Sequence, residues 1–221
     1  MKKKIVFLSK LSIKTLYFNF KYFPFKVAIK FPILISKHVL LKQISGKIHF
    51  DCKPTFGLVH IGFGEVGVFD VKNSRSIWEV YGTITFKGKA SFGQGSKITV
   101  AKEGNLVIGD NFRITAESTI ISYLEIIFGD NCLLSWEILI MDTDFHKIND
   151  ENGQTINEPK SILIGNDVWI GCRALILKGV IIPNNVVIGA GSIVSKKLEN
   201  ENSIYAGSPV KLIKEQITWR P

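Results

Sequence analysis

The fold class predicted for this chain of 221 residues is an all-β solenoid, a parallel β-helix with sides six residues long. Three observations carry that prediction. From residue 164 to residue 194 an aliphatic side chain returns at every sixth position: Ile164, Ile170, Ile176, Ile182, Ile188 and Val194. A helix repeats at about 3.6 residues and a half-buried strand at about 2, so neither needs that period. A coil of three short flat sides, roughly eighteen residues around, does need it, each side turning one aliphatic inward before a corner. Residues that tolerate left-handed or fixed φ stand at those corners, in Gly165-Asn166-Asp167, Gly171, Pro183-Asn184-Asn185, Gly189 and Gly191. The same period is readable upstream at Phe86, Phe92 and Ile98, at Ile108, Ile114 and Ile120, and at Phe128, Leu134 and Ile140.

The net charge of +9 is unevenly spread: the first fifty residues hold eleven Lys and no Asp or Glu, so the remainder carries −2. Cys52, Cys132 and Cys172 are odd in number and far apart, which argues against a disulfide framework and for a reducing, cytoplasmic compartment. Met1-Lys-Lys-Lys4 resembles the start of a signal peptide, but the apolar run from Ile5 to Leu8 is cut by Ser9-Lys10 and is too short for an h-region. No stretch approaches the roughly 20 apolar residues of a membrane span.

Residues 1–45 interleave Lys with large apolar side chains, as in Leu16-Tyr17-Phe18-Asn19-Phe20-Lys21-Tyr22-Phe23, and carry Pro24 and Pro32. This irregular or helical segment has two readings. One is a cap over the open end of the solenoid, which such proteins require. The other is peripheral contact with an anionic membrane surface, with aromatics in the interface and Lys facing headgroups. No nucleic-acid-binding motif accompanies the basic residues, so nucleic acid is not the expected partner.

The β-helix domain is expected over residues 46–195, with five readable coils and a looser one ahead of Phe86. Turn-like Lys102-Glu103-Gly104-Asn105 interrupts the period, and a two-residue slip precedes Phe128. Gly109-Asp110-Asn111 and Gly129-Asp130-Asn131 repeat the corner chemistry of Gly165-Asn166-Asp167. Between Ile140 and Ile164 the register falls on His146, Asn152 and Glu158, polar residues unfit for an aliphatic core. Residues 142–161 are therefore a loop extruded from the solenoid, and long loops on rigid scaffolds tend to carry function. A closing segment follows over 196–221, with Ala206-Gly207-Ser208-Pro209 and a short basic amphipathic tail from Val210 to Trp219 expected as a helix.

Four motifs in this order, Asp142-Thr-Asp-Phe-His146, Val168-Trp-Ile-Gly171, Val187-Ile-Gly-Ala-Gly-Ser-Ile-Val194 and Ala206-Gly-Ser-Pro-Val-Lys211, resemble the hexapeptide-repeat acyltransferases. The resemblance is specifically to the sugar O-acetyltransferases of bacterial surface-polysaccharide and capsule synthesis, and it covers about residues 105–214. It implies a left-handed coil, an exception to the usual right-handed crossover, a homotrimer, acetyl-CoA as co-substrate in the groove between neighbours, and a glycan acceptor. On the membrane reading of residues 1–45, a cytoplasmic protein meets the inner face of the plasma membrane.

In that family a loop histidine is the general base, and His146 is the matching position. A sugar hydroxyl is a poor nucleophile near neutral pH, so a neutral imidazole must take its proton as the oxygen attacks the thioester. Asp142 or Asp144 then holds the other ring nitrogen. For the cofactor, Trp169 lies along the pantetheine arm in this reading, and backbone groups of Cys172 and Ala190, one coil apart, bond its amides. Ser195 and Lys196 continue the track, and Lys211 and Lys214 meet the phosphates or adenine. The family more often has Thr-Lys where this chain has Ser195-Lys196, and Asn-Pro-Ala where it has Ser208-Pro209-Val210. Cys172 has no neighbouring His to make it a nucleophile, and the family transfers directly.

Two other readings compete. An N-acetyltransferase acting on a nucleotide-linked amino sugar calls for a nucleotide-binding domain, and residues 1–45 show no glycine-rich phosphate loop. A non-catalytic scaffold would not require His146 and the cofactor track together. The β-helix carbonic anhydrases bind zinc through three histidines, but His38, His49 and His60 lie before or at the margin of the readable coils, so no metal is expected.

Overall fold

The structure, a computed structural model, describes residues 12–64, 66–70 and 72–220. The lysine run of Met1-Lys-Lys-Lys4 and the apolar stretch after it lie outside them. Three sheets of nine, seven and six strands wrap around one core, and every strand but the last of the nine pairs in parallel with its counterpart one coil away. A complete coil contributes one strand to each sheet. The first coil is Ile33–Ile35, Val39–Ile44 and Lys47–Phe50; the sixth is Trp169–Ile170, Leu175–Ile176 and Ile181–Ile182. A seventh has two sides, Val186–Ile188 and Ile193–Val194, after which Ser203–Ala206 returns to the first sheet.

Every residue of the six-residue series from Ile164 to Val194 is buried. Each side also buries the residue two places earlier, as with Ile162, Val168, Ala174, Val180 and Val186. Strand alternation causes this: on an extended side, i and i−2 share a face, so a side turns two side chains inward rather than one. Upstream the core is aromatic, with successive ring centroids 5.5 Å apart for Phe92–Phe112 and 4.8 Å for Phe112–Phe128.

The corner between the third and first sheets explains the recurring Gly-Asp-Asn and Gly-Asn-Asp triplets. Asn111, Asn131, Asp167, Asn185 and Asn202 all have φ between 52° and 59°, a left-handed turn that short polar side chains tolerate best after glycine. Their side chains form a ladder, Asn111 Nδ2 donating to Asn131 Oδ1 at 3.0 Å and Asn131 Nδ2 to Asp167 Oδ1 at 3.0 Å. The residue before each completes it, its oxygen accepting the backbone N–H of the preceding coil: Asp110 N to Asp130 at 2.7 Å, Asp130 N to Asn166 at 2.8 Å.

The coils begin at Ile33, thirteen residues ahead of Gly46. The period is unreadable there because long corners, residues 51–58 and 62–75, separate the sides of the first two coils. Ahead of the first coil, helix α1 (Ile13–Tyr22) is followed by the single turn α2 (Phe25–Ala28). One face of α1 closes the edge strand Ile33–Ile35. Asn19 donates to Ile33 O at 2.7 Å and accepts from Ile33 N at 3.2 Å, while Thr15 Oγ1 bonds both Ile35 O and Ile35 N at 3.1 and 2.9 Å. Four residues apart, these two side chains lie one helical turn apart on one face and satisfy what a neighbouring strand would otherwise pair.

The tail is not the helix expected from Val210 to Trp219. Lys211–Lys214 is a strand, antiparallel to Ser203–Ala206. A helix this short is marginal in water, whereas the last strand of the first sheet offers unpaired backbone groups that a short strand satisfies.

Candidate active site

The chain leaves the second sheet at Met141 and rejoins the third at Ile162. Its base is closed by Lys160 N–H donating to Asp142 O at 3.1 Å. Asp142 is fully buried, and its carboxylate accepts three backbone N–H groups of the corner one coil back, Tyr123 at 2.7 Å, Leu124 at 2.9 Å and Glu125 at 2.7 Å. Burial pushes the Asp142 carboxyl up, against those three donors, which pull it down. Within the chain the Asp142 oxygens are thus bonded to the corner rather than to the histidine.

Beyond Thr143, whose Oγ1 accepts Phe145 N–H at 3.0 Å, the chain makes a tight turn in which His146 N–H donates to Asp144 O at 2.7 Å. Phe145 sits at φ 62°. That conformation costs a bulky L residue about 1–3 kcal/mol and clusters at functional positions. The turn leaves His146 exposed, and among the described residues its imidazole makes no hydrogen bond within its own chain.

Two residues absent from the sequence reading hold this turn in place. Asn157 donates to Asp144 Oδ2 at 2.9 Å and to His146 O at 2.8 Å, and accepts Ile148 N–H at 2.6 Å. Lys178, from the corner after Leu175–Ile176, reaches Asp144 Oδ2 at 2.5 Å and Asn157 O at 2.7 Å. Within the chain Asp144 thus faces Lys178 and Asn157 rather than the imidazole. No local motif signals the pair, since Lys178 and Asp144 are 34 residues apart.

The Lys178 ammonium holds the Asp144 carboxyl below the usual carboxylate range. A carboxyl depressed in the folded state contributes stability above its unfolded value of about 3.9, lost only as pH falls through the folded value. The brace is thus intact at neutral pH. Lys178→Met is expected to speed amide hydrogen exchange over residues 144–157 by about tenfold while leaving the coils unchanged. Unaltered exchange in the loop would mean that Lys178 does not hold it.

The remaining candidates lie on the first sheet and at two corners. Trp169 projects from the first sheet in register with Leu133 and Val187, 37% exposed. Its Nε1 donates to Ser135 Oγ at 3.1 Å, and Trp219 lies over it with ring centroids 5.9 Å apart. Cys172 and Ala190 stack at the corner between the first and second sheets, where the Cys172 carbonyl accepts Gly191 N–H at 2.8 Å. Ser195 and Lys196 are exposed at the next corner, beyond Ile193–Val194, above the turn that holds Lys178. Lys211 and Lys214 are exposed on the last strand, opposite Ala206 and Ile204. Within one chain the loop bearing His146 and the corner bearing Cys172 and Ala190 stand at opposite ends of the second side. Among the described residues no group of three or more His, Cys, Asp or Glu could hold a metal ion.

Residues 161–196 match the bacterial transferase hexapeptide family model (six repeats). A polysialic acid O-acetyltransferase of Neisseria meningitidis is 34% identical over 175 residues, 76% of this chain and 72% of that protein. An uncharacterized 24.8 kDa protein in the cps region of Klebsiella pneumoniae is 26% identical over 204 residues, 91% of this chain and 87% of that one. The crystal structure of the polysialic acid-specific acetyltransferase NeuO has the same fold, with a TM-score of 0.54 at 22% identity over 84% of this chain and 90% of that chain. The Neisseria relative, the family match and the three-sheet coil place the chain in its family: it belongs to the hexapeptide-repeat acyltransferases and has their left-handed parallel β-helix.

Proposed function

We propose that this acyltransferase moves an acetyl group from acetyl-CoA directly to a sugar hydroxyl of a bacterial surface polysaccharide or its precursor, with His146 as general base. The observation that carries the reading is the exposed imidazole at a strained turn, braced through Asp144, Asn157 and Lys178 yet without a hydrogen-bond partner among the described residues. As the hydroxyl oxygen attacks the thioester carbonyl, the neutral imidazole takes its proton. When the tetrahedral intermediate collapses, the carbon–sulfur bond breaks and the imidazolium protonates the departing thiolate. Asp144 acts as a positioning residue in this scheme, and Asp142 supports the base of the loop.

The homotrimer comes from the family resemblance, and the separation of the two corners supports a site completed between copies. The loop of one copy, with Ser195 and Lys196 at its own corner, then meets Trp169, Cys172 and Ala190 of its neighbour, with Lys211 and Lys214 toward the phosphate end. The name of the Neisseria relative supports a polymeric glycan as acceptor. The reading puts the enzyme in the cytoplasm, at the inner face of the plasma membrane.

Purified protein given acetyl-CoA and a panel of polymeric, lipid-linked and nucleotide-linked sugars is expected to release CoA with a polymeric or lipid-linked acceptor. The product should carry a hydroxylamine-labile ester. A hydroxylamine-stable amide on an amino sugar would favour N-acetylation, and no CoA release with any acceptor would favour a scaffold.

A further inference from the structure

The N-terminal end of the solenoid carries a face that neither the fold nor the acetyl transfer uses. Helix α1 spends one side on the edge strand through Thr15 and Asn19, with Phe18 fully buried. Its opposite side presents Ile13, Leu16, Tyr17 and Phe20, at the spacing i, i+3, i+4, i+7 of one helical stripe. Ile13 is 82% exposed and Tyr17 57%. Those four side chains and Lys21 line a single shallow apolar hollow. The adjoining turn adds Phe25 at 68% exposure, its ring centroid 6.0 Å from that of Phe20.

The charge around this face has one sign. The first acidic residue of the chain is Asp51. Lys21, Lys26 and Lys30 flank the apolar stripe and make no ion pair among the described residues, whereas Lys42 is neutralised by Glu79 at 2.8 Å. An exposed aliphatic and aromatic stripe bordered by unpaired ammonium groups matches the two layers of an anionic lipid surface, hydrocarbon below and phosphate above. A protein partner would have to supply the same apolar floor and acidic rim. No helix among the described residues is long and apolar enough to cross a membrane, so contact is by lying on the surface.

We infer that the outer face of α1 and the turn after it form a docking surface for anionic lipid, on which the enzyme rests with its solenoid pointing away from the bilayer. The inference deepens the proposed location at the membrane face and does not depend on the acetyl transfer. In a cyclic trimer three such faces lie at one end, and binding through all three is much tighter than through one.

Co-sedimentation of the full chain with vesicles tests it. Binding is expected to equal parts phosphatidylcholine and phosphatidylglycerol, at least tenfold weaker to phosphatidylcholine alone, and weaker as salt rises. The double variant Leu16→Glu/Phe20→Glu should lose binding by at least tenfold, with unchanged melting and unchanged acetyl transfer to a soluble acceptor. A second variant, Lys21→Gln/Lys26→Gln/Lys30→Gln, which leaves the apolar stripe in place, should bind the anionic vesicles more weakly. Absence of binding at low salt, or full binding by both variants, would overturn the proposal. A change of oligomeric state in the double variant, without vesicle binding by the parent, would overturn it in favour of a contact between copies. Vesicle binding by a protein that transfers no acetyl group would uphold this surface and count against the proposed reaction alone.

Discussion

His146→Ala is expected to lower acetyl transfer by about 10²-fold or more, the loss typical of a positioned general base. That corresponds to about 2.7 kcal/mol of barrier. The imidazole is exposed and makes no hydrogen bond within its own chain among the described residues, so its removal costs the fold little. Thermal unfolding of the variant should match the parent. Turnover and melting measured together therefore separate a chemical role from a structural one: a large fall in kcat at constant Tm is the expected pair. Full activity in the alanine variant would remove His146 from the mechanism.

Asp142→Ala should behave in the opposite way. Its carboxylate receives the N–H groups of Tyr123, Leu124 and Glu125, and the alanine leaves those donors at the corner without their acceptor. An unmet buried donor costs about 1–3 kcal/mol, and water can reach the corner at exposed Tyr123 and Leu124, so a net loss of about 3 kcal/mol is expected. For a chain of this size that lowers Tm by roughly 6–12 °C. Asp142→Asn keeps one acceptor oxygen while facing the donors with an amide NH2, so its melting should fall between parent and alanine. A Tm equal to the parent's in the alanine variant would show that the corner holds without this carboxylate. The adjacent acidic residue Asp144 should barely affect melting, because its partners Lys178 and Asn157 hold an exposed turn rather than a corner of the coil.

Two carboxylates two residues apart thus do unrelated work, and one pattern of residues could not tell them apart. Strand alternation at the end of Leu139–Met141 turns Asp142 toward the preceding corner and fully buries it. Asp144 lies beyond that constraint, where its partner is a lysine reached only after the chain has left the loop and travelled most of another coil. Asn157 joins the two sides of the loop by side-chain amide geometry, which its place in a polar stretch does not reveal. The choice between Asp142 and Asp144 as the partner of His146 was read from proximity in sequence, whereas the groups each carboxylate bonds within the chain are distant in sequence and close in space.

The segment up to residue 45 shows the same limit in another form. A cap and a membrane contact were alternatives as long as the segment was a string of Lys and aromatics. A helix has two faces, and α1 commits one of them to the edge of the first coil, leaving the other, apolar and lysine-flanked, uncovered by the other described residues. The coil boundary was misplaced because a period of six can be read only where corners are short, and the first two coils have long ones.

The sequence by itself determined the prism. A six-residue aliphatic period with Gly, Asn and Asp at its corners points to a three-sided coil, because each short side must turn its aliphatic inward before a corner that those residues can form, and a polar register from 142 to 161 marked where the chain leaves it. What the tertiary structure alone decided was allegiance: which carboxylate serves the corner and which the loop, that Lys178 and Asn157 hold the turn of His146, and that the tail adds a strand to an open edge. Those choices depend on which unpaired backbone groups and side chains meet across coils, and that meeting is settled by the stacking of the solenoid rather than by neighbours along the chain.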